Sequence, residues 1–540
     1  MATSKRGKLL ALTAAALALV TALSACGSAS GTHEKAEAAP VKDGGNLVFG
    51  VRSDPINFNP SAFGNGNTTW NITRQLYDSL VYQDPKTEKI EPWLAEEFSS
   101  NADATEFTFK LRDDVTFSDG TKLTAETVKA NLDDVKKAGA SSVGAAYVKT
   151  YESTQVVDEH TAVVKFSAPN AAFLSEAATP TMGLISDKST QVPYEERANG
   201  KKVSGSGPFV LKSYTKDQST VVTKRAGYKW APKGFDNTGD AHLDSIEFKV
   251  ITESANLTGG LVSGQLDVIE SVSPNDYDTV AASANVVQRS NPGTVFGVYF
   301  NEKKPLFQDE LIRDAISHAV NPAEVVKGAW NDRTKVADSP ISHTTLGYKS
   351  QKDKLADYDP KAAEADLDKA GWTKGADGIR EKDGQKLKLR IAYKNNSAVN
   401  SDSIAIIQEQ LKAVGIDSEQ FSGTIPEFIA VIGPGKFDLA WSNLSNVDGD
   451  VLRSQFSDEG TNNWPIQDQG IEQELKDQLK IGDASKRNTA LAKIQSDIIE
   501  GRHFVPVHEL TSAFGVSKNV TGIKQGADAR LDLLIDAAKQ

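Results

Sequence analysis

The segment from 387 to 441 limits the fold more than any other part of this chain. Leu387, Leu389, Ile391 and Tyr393 alternate as a strand does; Ser401 can cap a helix carrying Ile404, Ile407 and Leu411; Gly415 ends that helix. Extended structure resumes over 416–421 and again over 437–441. Strands that alternate with helices build parallel α/β layers, whose binding sites lie at the strand ends.

The rest of the chain fits that scheme with additions. Residues 46–51 form a short apolar strand, and the Pro55 and Pro60 segment after it reads as an irregular loop. A helix is expected to carry Ile72, Leu76 and Leu80 on one face, with Trp70, Thr73 and Tyr77 beside them. Phe107, Phe109 and Leu111 mark a strand, a helix from Thr124 carries Val128, Leu132 and Val135, and 161–166 alternates again. Gly205-Ser206-Gly207-Pro208-Phe209 turns the chain sharply into strands near 209–214, 219–223 and 245–251. At 540 residues the chain needs more than one folded unit, since a single core stops growing near about 250–300 residues.

The N-terminus carries an export signal. Lys5, Arg6 and Lys8 precede an apolar run from Leu9 to Leu23, which is shorter than the roughly 20 residues a spanning helix needs, and small residues follow it. The run ends at Leu23-Ser24-Ala25-Cys26, and Cys26 is the only cysteine, so it forms no disulfide within the chain. The tetrapeptide resembles the bacterial lipobox, which implies removal of residues 1–25, a lipid on the Cys26 sulfur and a flexible tether over 26–43. The formal charge of -12 becomes more negative when Lys5, Arg6 and Lys8 leave, which opposes binding to nucleic acid.

Several motifs occur in a telling order: Asn71-Ile72-Thr73-Arg74-Gln75-Leu76-Tyr77-Asp78-Ser79-Leu80-Val81, then Pro92-Trp93-Leu94-Ala95-Glu96-Glu97-Phe98, then the stretch from Phe107 to Gly120. Gly205–Phe209, Leu261-Val262-Ser263-Gly264-Gln265-Leu266-Asp267 and the stretch from Ile312 to Val320 follow. Together they resemble the family 5 extracellular solute-binding proteins, which include dipeptide, oligopeptide and nickel-complex receptors of ABC importers. Arg112 and Asp119-Gly120 within them read as a strand end and a tight turn.

The resemblance implies an α/β, two-lobed clamshell of the periplasmic-binding-protein type II-like kind, with an extra α+β domain inserted in the first lobe. On that basis lobe I comprises residues 44–80, 204–293 and 499–540, the insert 81–203 and lobe II 294–498. The implied protein is a monomer without cofactor. It is lipid-anchored at the outer face of the cytoplasmic membrane, and closes on a solute to present it to an ABC permease and ATPase. Short peptides are the leading ligand class, with a metal chelate, a siderophore or an oligosaccharide as alternatives within the family.

Candidate contacts follow from the same resemblance. Peptide receptors of the family hold the ligand's amino terminus with a carboxylate near a tryptophan-led loop, here Trp441, Asn443, Asp448, Asp450 and Arg453. The usual aspartate position is Leu444, so Asp448 or Asp450 stands in by rough position, against the alternative of a solvated turn at Gly449. Trp441 offers a stacking face, and Arg453 either a fork for a ligand carboxylate or a surface ion pair. Asn59, Trp70 and Asn71 are assigned to the cleft side of the first lobe, or to turn and cap duty.

Enzyme motifs are missing: there is no G-x-S-x-G elbow, no phosphate-binding G-x-x-x-x-G-K-[ST] loop and no H-E-x-x-H. A surface hydrolase of peptides or glycosides needs a nucleophile and base, or two carboxylates in the cleft, and none is evident. A sensor that reports a peptide signal remains a further alternative. His503 and His508 straddle Phe504-Val505-Pro506-Val507, which reads as the returning strand of the first lobe and not as a metal site.

Overall fold

The computed structural model describes residues 42–330, 333–395, 398–460 and 464–540. The expected signal segment, Cys26 and all but the last two residues of the expected tether lie outside the described residues. Two sheets organise residues 42–540. The first has seven strands in the order Asn285–Ser290, Thr511–Val516, Val268–Ile269, Asn46–Val51, Ser245–Val250, Ser219–Lys224 and Phe209–Thr215. Leu47 and Phe49 lie opposite Ile246 and Phe248 on the parallel neighbour, and the Phe49 and Phe248 rings are 5.4 Å apart, so alternation in sequence becomes one buried face.

The second sheet has five strands in the order Asp417–Gly423, Lys388–Lys394, Leu439–Ser445, Gly293–Phe300 and Phe504–His508. Its first three strands are parallel, as the alternating pattern requires. The helix Ala398–Ala413 packs Ile404, Ile407 and Leu411 against the face of Ile391, Tyr393 and Trp441. It begins before Ser401, which lies within it and does not cap it.

The strand Phe504–His508 requires a correction. It was expected in the first lobe, but it pairs with Gly293–Phe300, Val505 opposite Val298 and Phe504 opposite Tyr299. The chain therefore returns to the first sheet between His508 and Thr511, not near 499. The strand is buried on both faces, so its sequence suits either sheet and carries no mark of its partner.

Between the strand Asn46–Val51 of the first sheet and its strand Phe209–Thr215 lies a four-stranded antiparallel sheet, Ala95–Ser100, Glu106–Leu111, Thr161–Phe166 and Tyr151–Asp158, with the helix Ala125–Ala138. Thr124 caps that helix. Phe107, Phe166 and Phe173 form an aromatic knot that is continuous with the core of the first sheet.

The helix expected through Leu80 stops at Thr73. Leu76 and Leu80 are buried, but the backbone that would continue the helix is committed elsewhere: the N–H of Gly207 bonds the Leu76 carbonyl and that of Phe209 bonds the Gln75 carbonyl. This contact explains the glycines of the 205–209 motif. A Cβ on Gly205 would lie 2.0 Å from the Leu76 carbonyl oxygen, and one on Gly207 2.5 Å from that of Gln75. Gly205→Ala is expected to cost about 3 kcal/mol in urea unfolding, the upper part of the overpacking range, because backbone and not a flexible side chain must yield. Gly259→Ala, in the helix Ser254–Val262 with nothing within 4 Å of the added carbon, is expected to be neutral or slightly stabilising.

Candidate functional site: facing strand ends beside a two-strand hinge

In the first lobe the parallel strands Asn46–Val51 and Val268–Ile269 end side by side, and the chain continues into Arg52-Ser53 and Glu270-Ser271. With Asn67, Thr68 and Asn71 from the following helix, and Ser512 and Phe514 from Thr511–Val516, these residues line a cavity of ≈ 390 Å³. Carboxyl ends of parallel strands gather loop backbone and side chains at one edge, which is where open α/β sheets hold ligands. Ser271 takes left-handed backbone (φ 58°), an uncommon conformation for a residue with a Cβ.

Glu270 sits at the floor of this cavity and is 5% exposed. Its Oε1 accepts from the Arg52 N–H (2.7 Å) and the Thr68 hydroxyl (2.5 Å), and its Oε2 from the Asn71 amide (2.9 Å). Burial pushes its carboxyl above the ordinary range against the pull of those three donors and of the Arg52 charge, and among the described residues no ion pair neutralises it. Three bonds leave part of the carboxylate's accepting capacity unused.

Asn71 is thus the residue that ties this floor together, since its Oδ1 also accepts from the Leu531 N–H (2.8 Å). Trp70 is half-buried under the Arg530 guanidinium, 4.5 Å from its ring centroid, and its indole N–H is buried without an acceptor. Arg530 is held by Asn67 and Asp528. Asn59 does not belong to this cavity; it lines a separate small pocket against Asn131, Phe173 and Ile185, on the side of the inserted sheet. Its loop is turned there because the Phe58 N–H bonds the Ala198 carbonyl and Phe58 packs under Tyr214.

The second lobe also presents parallel strand ends. The loop leaving Lys388–Lys394 leads to a helix on the face of Tyr393 and Trp441, whereas the loop leaving Leu439–Ser445 leads to the helix Val451–Phe456 on the face of Ala392 and Ala440. Adjacent strands whose connections diverge to opposite faces open a crevice between them. Asn443 is half-buried and Leu444 exposed near this edge. Trp441 is 1% exposed; its ring stacks on Phe296 at 5.5 Å, and its N–H bonds Asn400 (3.1 Å). Phe296, Trp330 and Trp441 surround His508, which is fully buried with Nε2 unpaired and its pKa pushed down to about 4 by burial.

The acidic loop after Trp441 differs from both readings of it, the ligand carboxylate and the solvated turn. Asp448 is buried and takes a two-pronged ion pair from Arg487, with Nη1 at 2.9 Å and Nη2 at 2.5 Å, while the Ser175 hydroxyl donates to it at 2.6 Å. Burial pushes its carboxyl up, but Arg487 and Ser175 outweigh that and hold it below the ordinary range. Asp450 is gripped by Arg453 at 2.8 and 2.6 Å, which occupies the Nε and Nη2 edge of the Arg453 guanidinium. The buried Glu176 beside them is pushed well above the ordinary range by burial and by Asp450 and Asp448. Ser175 belongs to the insert and Arg487 to the second lobe, so the loop is a strut between them, reinforced where Ala171 N–H bonds the Leu479 carbonyl (3.1 Å) and Gly482 N–H the Ala102 carbonyl (3.2 Å). Spacing from Trp441 gave no sign of this, because Arg487 lies far along the chain.

Two segments join the halves, Ser290–Gly293 and His508–Thr511. They run side by side, with the Asn291 N–H on the Leu510 carbonyl (2.7 Å) and the Ser512 hydroxyl on the Asn291 side chain (2.9 Å). Glu509 within them is clamped by Lys335 (2.9 Å) and His343 (2.6 Å). The cavity residues Ser512 and Ala513 follow directly, so the first lobe's cavity opens beside the hinge, as a clamshell demands. Among the described residues no three His, Cys, Asp or Glu side chains are grouped to hold a metal ion, and His503 is paired with Glu302 (2.7 Å).

Glu270, Ser512 and Arg530 were missed from sequence. Glu270 was within reach: it follows the Leu261–Asp267 motif by three residues, where a short strand must end. Asp267 serves that strand's placement, accepting from the Val48 N–H (2.9 Å) and Lys539 (3.0 Å).

Comparison with known proteins places these features in context. The model of the bacterial extracellular solute-binding proteins, family 5 (Middle) matches residues 89–463. The oligopeptide-binding protein AppA of Bacillus subtilis is 25% identical over 526 residues, covering 94% of each chain. Its structure in complex with a nonapeptide superposes with a TM-score of 0.73 at 22% identity, covering 93% of this chain and all of that one. NikA from Brucella suis in complex with Fe(III)-EDTA superposes with a TM-score of 0.78 at 23% identity, over 92% of this chain and all of that one.

Proposed function

Because this chain belongs to the bacterial extracellular solute-binding proteins of family 5, we propose that it is the receptor of an ABC importer that captures short peptides between its lobes and delivers them intact to a membrane permease. Glu270 carries the reading. A buried carboxylate held by neutral donors, with no ion pair among the described residues and Arg52 acting on it only through space, at the floor of a strand-end cavity, suits the ammonium of a peptide amino terminus. It takes the role that Asp448 and Asp450 have given up to Arg487 and Arg453. Ser53, Thr68, Ser271 and Ser512 around it offer donors and acceptors to a peptide backbone without dictating side chains. Closure about the two hinge segments excludes water, which strengthens the ion pair and gives the closed form its higher affinity.

The test is a thermal-shift screen of the chain lacking residues 1–25, with Cys26→Ser, against di- to pentapeptide pools, nickel chelates, siderophores and oligosaccharides, with mass spectrometry of each pool afterwards. Intact peptides at about 100 times their Kd should stabilise the protein by roughly 2.7 kcal/mol. Stabilisation by a chelate or glycan alone keeps the receptor and removes the peptide, and consumption of any pool member removes the receptor reading.

Anchoring through Cys26 belongs to the same proposal. The signal grammar and the sole cysteine support it. Full-length protein expressed in a bacterium is expected to take up a labelled fatty acid and to fractionate with membranes. Cys26→Ser is expected to abolish the label and release the protein; label retained on the serine variant removes the anchor.

A further inference from the structure

We propose that the first lobe carries a second small-molecule site, built for an uncharged aromatic compound whose amide supplies both a hydrogen-bond donor and an acceptor. The site is a cavity of ≈ 340 Å³ beside Asn285–Ser290, the edge strand of the first sheet, and it shares no lining residue with the strand-end cavity around Glu270.

Four segments converge on it: the hairpin of Val81–Gln83 and Ile90–Pro92, the loop at 233–235, the edge strand and the segment 523–532. Contacts among them hold the walls before any ligand arrives. The Tyr82 hydroxyl donates to Asp532 (2.7 Å), Phe235 stands edge-on to Tyr82 with ring centroids 5.9 Å apart, and Ile523 and Val287 pack on the same core. Preformed cavities of roughly 300–1,000 Å³ with aromatic and apolar walls and a few polar groups are the usual form of a small-molecule site.

Most of the charge around the cavity is already matched. Lys524 pairs with Asp536 (2.5 Å), Arg289 pairs with Glu88, and Asp84 accepts from the Lys86 and Thr87 N–H groups (2.7 and 2.9 Å). The other two lining cations, Lys86 and Lys233, are exposed and keep their water. A charged occupant therefore gives up hydration with no buried counter-ion to replace it.

Two polar atoms of the lining are not matched. Gln525 is 7% exposed, and its Nε2 donates to the carbonyls of Ser512 (3.2 Å) and Ala529 (3.0 Å), which fixes the orientation of the amide. Its Oε1 is left buried with no donor among the described residues. Arg289 commits Nη2 to Glu88 and has a buried Nε with no acceptor. Buried donors and acceptors left unpaired are costly. An occupant with an N–H for Gln525 and a carbonyl for Arg289 satisfies both, and its rings meet Tyr82 and Phe235.

The competing account is a recess filled by solvent alone. Methyl NMR of the chain lacking residues 1–25, with Cys26→Ser, separates the two. The Val287 and Ile523 methyl resonances, assigned by their absence in Val287→Ala and Ile523→Leu, are followed during titration with three matched compounds. These are 2-naphthamide, its N,N-dimethyl form, which has no N–H, and 2-naphthoate, which has no N–H and carries a charge. 2-Naphthamide is expected to shift both resonances saturably, with the other two at least tenfold weaker. Lys233→Trp, which adds bulk at an exposed lining position, is expected to weaken 2-naphthamide tenfold or more. Equal affinity for 2-naphthamide and its dimethyl form overturns the assigned donor, and equal or tighter binding of 2-naphthoate overturns the uncharged occupant. No saturable shift with any of the three at millimolar concentration leaves solvent alone and overturns the site. None of these readouts involves a peptide, so the site stands or falls apart from the receptor reading.

Discussion

Asp448→Ala is expected to destabilise the protein by about 3–5 kcal/mol in urea unfolding, the range for removing one partner of a buried ion pair and leaving the other charge uncompensated. Arg487, about 5% exposed, then loses its ion pair and keeps, among the described residues, Gln478 and the Ala171 carbonyl as acceptors, with Asp450 and Glu176 acting on it only through space. The expectation separates the strut from a surface ion pair, whose loss costs about 0–1 kcal/mol. The double variant Asp448→Leu with Arg487→Met should recover most of the loss, since buried pairs replaced by apolar side chains of similar size are often neutral or better. It should not recover all of it, because the Ser175 hydroxyl and the Asp450 N–H both donate to Asp448 and lose that acceptor. A cost below about 1 kcal/mol for Asp448→Ala would show that the loop is solvated after all.

Glu270→Gln is expected to weaken binding of peptides with a free amino terminus by 100-fold or more, about 2.7 kcal/mol, within the range for truncating one partner of a buried charge pair. Amino-terminally acetylated peptides should lose little, because they bring no ammonium. The pH dependence has a definite sign. Ionised Glu270 receives the ammonium, and burial raises its carboxyl above the ordinary range in the free protein, so affinity should fall on acidification at a higher pH than an exposed carboxylate dictates. In Glu270→Gln that dependence should vanish.

Stability of the unliganded protein moves the other way. A carboxyl whose folded pKa is raised favours folding while protonated, and that contribution is lost as pH rises through the folded pKa. Glu270→Gln should therefore leave the unliganded protein at least as stable as wild type at pH 7, which isothermal urea titrations measure. An unchanged affinity for free-amine peptides would move the amine anchor elsewhere.

The two variants also mark what the sequence could tell. Local period was reliable wherever one face of an element is buried: Phe107, Phe109 and Leu111 alternate because water lies on one side and core on the other. It failed at Phe504–His508, where both faces are buried and alternation has nothing to record. It failed again at Leu76 and Leu80, whose spacing is helical but whose backbone is used by the glycine return at 205–209. The site was legible only in part, for a related reason. Asn71 and Trp70 could be assigned to the first lobe's inner side because they follow a strand end in a recognisable motif. The fate of a carboxylate depends on which cation arrives from a distant segment, and neither Arg487 at Asp448 nor the lack of an ion pair at Glu270 among the described residues is written in the neighbouring residues.

The place of Thr511–Val516 in the first sheet has a consequence for how the chain comes to be folded. That strand lies between Asn285–Ser290 and Val268–Ile269, with hydrogen-bonded partners on both sides. Until it arrives, the earlier strands cannot form a continuous sheet, and the cavity lacks the wall that Ser512, Ala513 and Phe514 supply. Contacts of such long sequence separation form slowly, because the loop must close before any contact rewards it. Completion of the first lobe therefore waits for residues beyond 510, and a chain synthesised or threaded from its amino terminus stays without a finished sheet for nearly all of its length.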